Sequence, residues 1–374
     1  MLRQLRVLQV NKFYPPLIGG IEKVVQQIVE GLSERCHMKV LVCQRKGPES
    51  DEVINGVQVH RSASIGTFCS MPLSFAFLKD FRRMSTDSNI VHIHMPFPLA
   101  DLACLLSGYK GAVVVWWHSD IVRQKALMPL YRPLMNWLLR RSDRIIVATQ
   151  RHITGSKYLP AYQDKCVVIP FSLDRQILGD AKDYGNTKKG TTHEGSPFRF
   201  LFVGRLVPYK GCGVLLDAFA KLGEGQLTIA GDGPQREKLL RQSQELGISE
   251  RVRFIRQFTE KEKMQLYRDC DAFILPSISK NEAFGLVQLE AMAYGKPVIN
   301  TDLDSGVPEV SLHNATGLTV PPNDPVQLAR AMERLIHDDD LYRSFGAAAV
   351  QRAVSFSENF ADQLYAVYKE ALEK

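Results

Sequence analysis

The chain reads as an α/β protein of two domains, each built on a parallel sheet. Three observations predict this. A length of 374 residues is about two domains. Short apolar runs of strand type, such as Val7–Val10, Val113–Trp117, Phe200–Val203 and Ala272–Leu275, alternate in both halves with longer amphipathic stretches of helical period. Between the two series, Asp180 to Pro197 is polar, contains glycine and lacks periodicity, as a linker or surface loop would.

In the first half, the strand Val7–Val10 leads through Asn11-Lys-Phe-Tyr-Pro-Pro16 to Gly19-Gly20-Ile21-Glu22. The helix that follows carries a core-facing stripe of Val24, Val25, Ile28, Val29 and Leu32. A glycine pair at a helix N-terminus lets a phosphate approach the backbone. His92 and His94 alternate on one face of a strand, with no further metal ligand at suitable spacing, so they read as core or supporting residues. His118-Ser119-Asp120 ends the strand Val113–Trp117. A single histidine there is usually structural, and His118 becomes a site candidate only in company.

That company lies in the second half. The strand Phe200–Val203 opens into Gly204-Arg205-Leu-Val-Pro-Tyr-Lys210-Gly211 and an amphipathic helix. Arg205 and Lys210 therefore sit at the carboxyl end of a strand, where open α/β sheets bind ligands. An Arg fork and a Lys point charge there make a diphosphate clamp. Lys210 reads as exposed, so its loss should hardly touch stability. The strand Leu227–Ala230 ends in Gly231-Asp-Gly233-Pro234, a tight turn whose backbone can meet a nucleobase edge. After Ala272–Ser277 come Glu282-Ala283-Phe284-Gly285-Leu286 and then Glu290. A helix beginning just after Glu282 points free N–H groups at its ligand and favours an anion. Eight residues of helix rise about 12 Å, too far for two carboxylates on one sugar ring but suited to the two ends of a sugar nucleotide. Glu282 can accept from sugar hydroxyls and Glu290 from a ribose diol, whereas a glycosidase needs its acids facing one bond.

In this order and spacing, the three second-half motifs resemble the donor-binding half of retaining GT-B glycosyltransferases of the family-4 type, and the resemblance covers nearly the whole chain. It implies two Rossmann-like domains facing each other across a cleft: residues 1–177 on the acceptor side, 178–358 on the donor side, and a last helix, 359–374, packing back on the first. By the same resemblance Arg205 and Lys210 hold the leaving diphosphate, and Glu282 with the backbone of Ala283, Phe284, Gly285 and Leu286 holds the donor sugar. Gly231 and Gly233 belong to the donor site, and Glu290 to the ribose. The Gly19–Glu22 loop, with Gly20, closes on the donor phosphates, and Glu22, His118, Ser119 and Asp120 line the acceptor side. His118 either orients the donor sugar or stabilises charge. The implied course is front-face attack, with the leaving phosphate taking the acceptor proton and no enzyme nucleophile.

Lys12–Pro16, His118–Gln124 and Ser277–Pro297 are similar to bacterial enzymes of O-antigen and exopolysaccharide assembly that use GDP-mannose. That implies α-mannosyl transfer to an undecaprenyl-diphosphate-linked glycan, with the nucleotide sugar as substrate and neither cofactor nor metal. Three alternatives stay open: a UDP-hexose-dependent transferase of the same fold, a sugar-nucleotide epimerase, and a non-catalytic nucleotide-sugar binding protein. A metal-dependent GT-A enzyme would need an Asp-x-Asp; Asp302-Leu303-Asp304 has that spelling but reads as a loop after a strand.

The net charge of +7 is uneven, with a basic excess in the first half and an acidic one in the second. The excess is densest from Arg123 to Lys157, where Arg123, Lys125, Arg132, Arg140, Arg141 and Arg144 interleave with Leu127, Leu130, Leu134 and Trp137. Such a stretch can lie on an anionic membrane surface or simply present a solvated face. Nucleic acid is not expected, because no recognisable module interleaves these charges with stacking aromatics. The 7 cysteines are scattered without a Cys-x-x-Cys, as in a reducing compartment. No apolar run reaches the ~18 residues of a membrane span, which with the cysteine usage predicts a cytoplasmic protein. The basic stretch is what would hold it peripherally on the inner face of the cytoplasmic membrane.

Overall fold

The computed structural model describes residues 5–17, 19–68, 71–121, 128–187 and 196–373. They form two compact units, Met1–Ser172 with Asn359–Lys374, and Leu173–Glu358.

The first unit contains strands β1 (Leu5–Val10), β2 (Cys36–Cys43), β3 (Ser50–Ile54), β4 (Val57–Ser62), β5 (Gly66–Phe68), β6 (Met71–Leu73), β7 (Ile90–Met95), β8 (Ala112–Trp117), β9 (Arg144–Val147) and β10 (Cys166–Val168). Eight of them make one sheet in the order β10-β9-β8-β7-β1-β2-β4-β3, while β5 and β6 pair as a separate ribbon. All neighbours are parallel except β3, which runs antiparallel to β4. Every residue of β7 and β8 is buried, as expected of parallel strands covered on both faces. One layer of core joins Leu8, Val10, Ile93, Met95, Val115 and Trp117 to Phe77, Phe81, Met135 and Leu138. The C-terminal helix Phe360–Leu372 buries Phe360, Leu364, Val367, Tyr368 and Ala371, and Phe360 packs against Trp116 with ring centroids 6.1 Å apart. From β1 the order runs to β2 on one side and β7 on the other, so the carboxyl ends of β1 and β7 form the switch point where such sheets bind ligands.

The second unit has six parallel strands, β11 (Arg199–Val203), β12 (Gln226–Ala230), β13 (Val252–Ile255), β14 (Ala272–Leu275), β15 (Val298–Thr301) and β16 (Gly317–Val320), in the order β13-β12-β11-β14-β15-β16. Its switch point lies between β11 and β14. Two sequence expectations need correction here. The division falls between Ser172 and Leu173, ahead of 177/178. Much of the stretch read as linker is helix, Arg175–Thr187. Its sequence hid this because only Ile177 and Ala181 are buried apolar anchors, and the rest of the attachment is polar. Tyr294 donates to Asp180 at 2.6 Å, and Tyr184 donates to the Arg268 carbonyl at 3.0 Å. Residues 188–195 of that stretch lie outside the described residues.

Candidate active site

In the second unit, the loops after β11, β12 and β14 interlock through their backbones. Gly204 N–H donates to Ala230 O at 2.9 Å, Leu206 N–H to Asp232 O at 2.9 Å, and Ile278 N–H to Tyr209 O at 2.8 Å. The approach is close enough to demand glycine. A Cβ at Gly231 would overlap the Gly204 carbonyl oxygen, and one at Gly211, whose φ is +71°, would overlap that of Pro276. The glycines of the first two motifs thus seat the loops on one another, whatever else they approach.

This seating brings Lys210 onto Glu282. Lys210 Nζ lies 2.5 Å from Glu282 Oε2, and Ser277 Oγ donates to the same oxygen at 3.1 Å. Lys210 is only 9% exposed and Glu282 8%, so the exposed lysine expected from the sequence is instead half of a buried ion pair. The loop folds over its stem, a cover that no local pattern announces. Burial works to lower the Lys210 pKa, but the charge and hydrogen bond of Glu282 outweigh it and hold the ammonium above the ordinary lysine value. Arg205 stays exposed, with its guanidinium 3.4 Å from the Tyr209 hydroxyl.

Beyond Glu282, Gly306 N–H donates to the Ala283 carbonyl and the Gln288 side chain to that of Phe284. Gly285, with φ of +75°, caps the helix Leu286–Ala293. Glu290 lies on that helix and is 6% exposed. Lys263 Nζ is 3.1 Å from its Oε2, and the Tyr267 hydroxyl donates to the same oxygen at 2.8 Å. The sequence reading missed both partners. Their spacing, four residues apart on the helix Glu260–Asp269, was the available signal, since it puts them on one face. Burial again opposes the Lys263 charge, and Glu290 and Glu260 restore it.

In the first unit, the extended Gly19 precedes the helix Gly20–Leu32, and the Glu22 side chain folds back over it. Burial raises the Glu22 pKa, a shift moderated by its own backbone hydrogen bond and by nearby Lys12, whose own pKa burial lowers. His118 directly follows β8, where its backbone N–H donates to Met95 O at 3.1 Å. Its ring packs against those of both Trp116 and Phe171, at 5.9 and 5.7 Å. Burial draws its pKa well below the ordinary histidine value, with His94 adding to the effect. Asp120 accepts from Ser156 Oγ at 2.7 Å and from the Lys157 N–H at 3.0 Å, and so pins a turn of its own unit. Ser119 beside it is half-buried. Val122, Arg123 and Gln124 of that block, with Lys125 and Leu127, lie outside the described residues.

Two further expectations meet the structure here. Asp302 and Asp304 are exposed on the loop after β15, with Leu303 buried between them. Of the basic stretch, Arg132 and Arg140 are exposed. Arg141 instead donates to Gly111 O at 2.6 Å, and Arg144 is 3.1 Å from Glu370, so these two serve their own unit. Among the described residues, no helix is long and apolar enough to cross a membrane.

Two units of parallel sheet, with the charged motif loops of one gathered at its switch point, define a glycosyltransferase of the GT-B fold. Residues 19–171 match the family model for the glycosyl transferase 4-like domain, and residues 183–352 that for glycosyl transferases group 1. The chain belongs to the family-4 GT-B glycosyltransferases. It is 32% identical over 370 residues to O-antigen chain mannosyltransferase C of Escherichia coli, covering 97% of each chain. It is 34% identical over 333 residues to the D-rhamnosyltransferase WbpZ of Pseudomonas aeruginosa, covering 88% of this chain and 86% of that one. Sucrose-phosphate synthase from Thermosynechococcus elongatus shares the fold, with a TM-score of 0.77 at 21% identity over 98% of each chain.

Proposed function

We propose that the protein is a retaining hexosyltransferase that moves an α-mannosyl group from GDP-mannose to an undecaprenyl-diphosphate-linked glycan in O-antigen or related cell-surface polysaccharide assembly. The observation that carries this is the Lys210–Glu282 pair, which sets a cation for a diphosphate against a carboxylate for sugar hydroxyls at one switch point. Breaking the sugar–phosphate bond puts negative charge on the diphosphate. Lys210, Arg205 and the N-terminus of the helix Leu286–Ala293 are the groups that meet it, and stabilisation of developing charge is what lowers the barrier. The leaving phosphate takes the acceptor proton. Support for the sugar comes from the two named relatives, since D-rhamnose is the 6-deoxy form of mannose.

A donor screen tests the reading. GDP-mannose should turn over far faster than UDP-glucose or UDP-N-acetylglucosamine, because a misplaced hydroxyl leaves a buried carboxylate without its partner. Faster transfer from a UDP-hexose overturns the donor assignment. We further propose that the protein works against the inner face of the cytoplasmic membrane through Arg132 and Arg140. Anionic vesicles should retain it at low salt and release it as the Debye length falls below ~10 Å. Equal recovery of wild type and Arg132→Ala/Arg140→Ala from sedimented vesicles removes that claim.

A further inference from the structure

A buried chain of hydrogen bonds runs from His118 to the C-terminal helix, wholly inside the first unit. His118 Nε2 is 2.9 Å from His94 Nδ1, and His94 Nε2 is 3.0 Å from Gln9 Oε1. Gln9 Nε2 donates to the Tyr368 hydroxyl at 2.8 Å, and that hydroxyl is 2.8 Å from His92 Nδ1. Gln9, His92 and Tyr368 are fully buried and His94 is 1% exposed, so no solvent relieves an unmatched partner. The imidazoles stack in sequence, His92 on His94 at 4.7 Å and His94 on His118 at 5.2 Å.

The direction of the chain follows from the Gln9 amide. Its oxygen faces His94 and can only accept, so His94 carries its hydrogen on Nε2. A neutral imidazole has one N–H, which leaves His94 Nδ1 bare and makes His118 donate from Nε2. Gln9 spends an amide hydrogen on the Tyr368 oxygen, and the same hydroxyl meets His92 Nδ1, so Tyr368 holds the Gln9 amide in this orientation. Each ring is held neutral by burial, with His94 brought down to about 3.

We infer that Tyr368, Gln9 and His94 are positioning residues that fix His118 with its hydrogen on Nε2, so that Nδ1 meets the substrate as a hydrogen-bond acceptor. This rests on the transferase reading above. A bare ring nitrogen receives a sugar O–H and repels a phosphate oxygen. Of the two roles the sequence left open to His118, the geometry therefore supports orientation of the donor sugar over stabilisation of leaving charge.

The test is nitrogen NMR of the ¹⁵N-histidine-labelled full chain, with the His118 signals assigned by their loss in His118→Gln. Nε2 should be protonated and Nδ1 bare, without change from about pH 6 to 9, across the ordinary histidine range. Tyr368→Phe keeps the ring but removes the hydroxyl that orders Gln9, so the His118 tautomers should mix. kcat/KM with GDP-mannose should then fall about tenfold, the scale of one neutral hydrogen bond, while calorimetric affinity for GDP stays within about twofold. A wild-type His118 protonated on Nδ1 overturns the inference. So does a Tyr368→Phe protein that keeps the wild-type tautomer, or one that loses GDP affinity in proportion to its turnover. A wild-type protein inert toward GDP-mannose would refute the donor assignment alone, because the tautomer is read without donor.

Discussion

Lys210 keeps its charge through its contact with Glu282, whereas His118 and His94 give theirs up to a dry stack of rings. In the second unit Lys210 and Glu282 are buried as an ion pair, with Lys263 and Glu290 repeating the arrangement one helix away. In the first, the stacked rings of His92, His94 and His118 are neutral, and burial raises the Asp101 carboxyl to about 7. The contrast follows the chemistry. A diphosphate calls for cations whose desolvation has already been met by a partner that can be shared. A sugar hydroxyl calls for acceptors and donors fixed in tautomer, where a net charge would be costly and non-directional.

The sharpest break of this comparison is Lys210→Ala. kcat/KM should fall by two to three powers of ten, about 3–4 kcal/mol for one lost donor to developing charge. Unlike the loss of an exposed lysine, it should also cost about 3–5 kcal/mol of stability, because Glu282 is left buried and unpaired. Lys210→Met combined with Glu282→Gln removes both charges. Melting should recover in that double variant while turnover does not. If Lys210→Ala melts like wild type, the pair is not what holds the loop.

Glycine offers the second comparison. Gly231→Ala drives a methyl group into the Gly204 carbonyl and should cost about 3 kcal/mol, lowering the melting temperature by several degrees. Gly20 has open space around its Cβ position, so Gly20→Ala should leave melting within about 0.5 kcal/mol of wild type. A loss of turnover in the second variant without a loss of stability assigns that glycine to ligand approach. Equal destabilisation by both would erase the distinction.

These differences also explain what was legible in the sequence. Arg205, Lys210, Gly231, Glu282 and Glu290 each sit in or just after a loop that leaves a strand, so local pattern found them. Partners were another matter. Lys263 and Tyr267 reach Glu290 from 27 and 23 residues away in the chain, on a different helix. Gln9, His94, His118 and Tyr368 come from β1, β7, the residue after β8 and the last helix, and only the sheet order makes them neighbours. Helical period alone places Tyr368 on the buried stripe with Leu364 and Ala371, but it cannot say what the hydroxyl meets. The burial of Lys210 was hidden for the same reason, since its cover belongs to the loop after β14.

The neutral half of the comparison has a signature in pH. Burial is the main cause raising Asp101, and its hydrogen bond from Tyr131 and the charge of Lys12 pull the other way. A folded value near 7, above the unfolded value of about 3.9, means that the folded state holds its proton longer. The stability this group contributes is complete below the unfolded value and is lost as pH rises to about 7. Asp101→Asn keeps an acceptor for Tyr131 and removes the titration. Its first unit should therefore show a flatter stability profile from about pH 4 to 7, by on the order of 1 kcal/mol per pH unit, and should outlast wild type at pH 8. Parallel profiles for the two proteins would mean that Asp101 is ionised in the fold.

The smallest expected effect is none. Asp302 and Asp304 carry the spelling of a metal-binding pair, yet both are exposed on the loop after β15, in the unit where Lys210 and Arg205 supply positive charge. A divalent ion at the diphosphate would duplicate those cations. Among the described residues, the one grouping of three metal-type ligands is Glu49, His60 and Asp80 in the first unit, and it includes neither aspartate. Asp302→Asn combined with Asp304→Asn should therefore keep kcat/KM within about twofold of wild type, the range of ordinary surface substitutions. Turnover should likewise persist in excess chelator. Activity lost to chelator and restored by manganese, together with an inactive double variant, would move the positive charge of the site from Lys210 to a metal. The paired half of the molecule would then have to be read afresh.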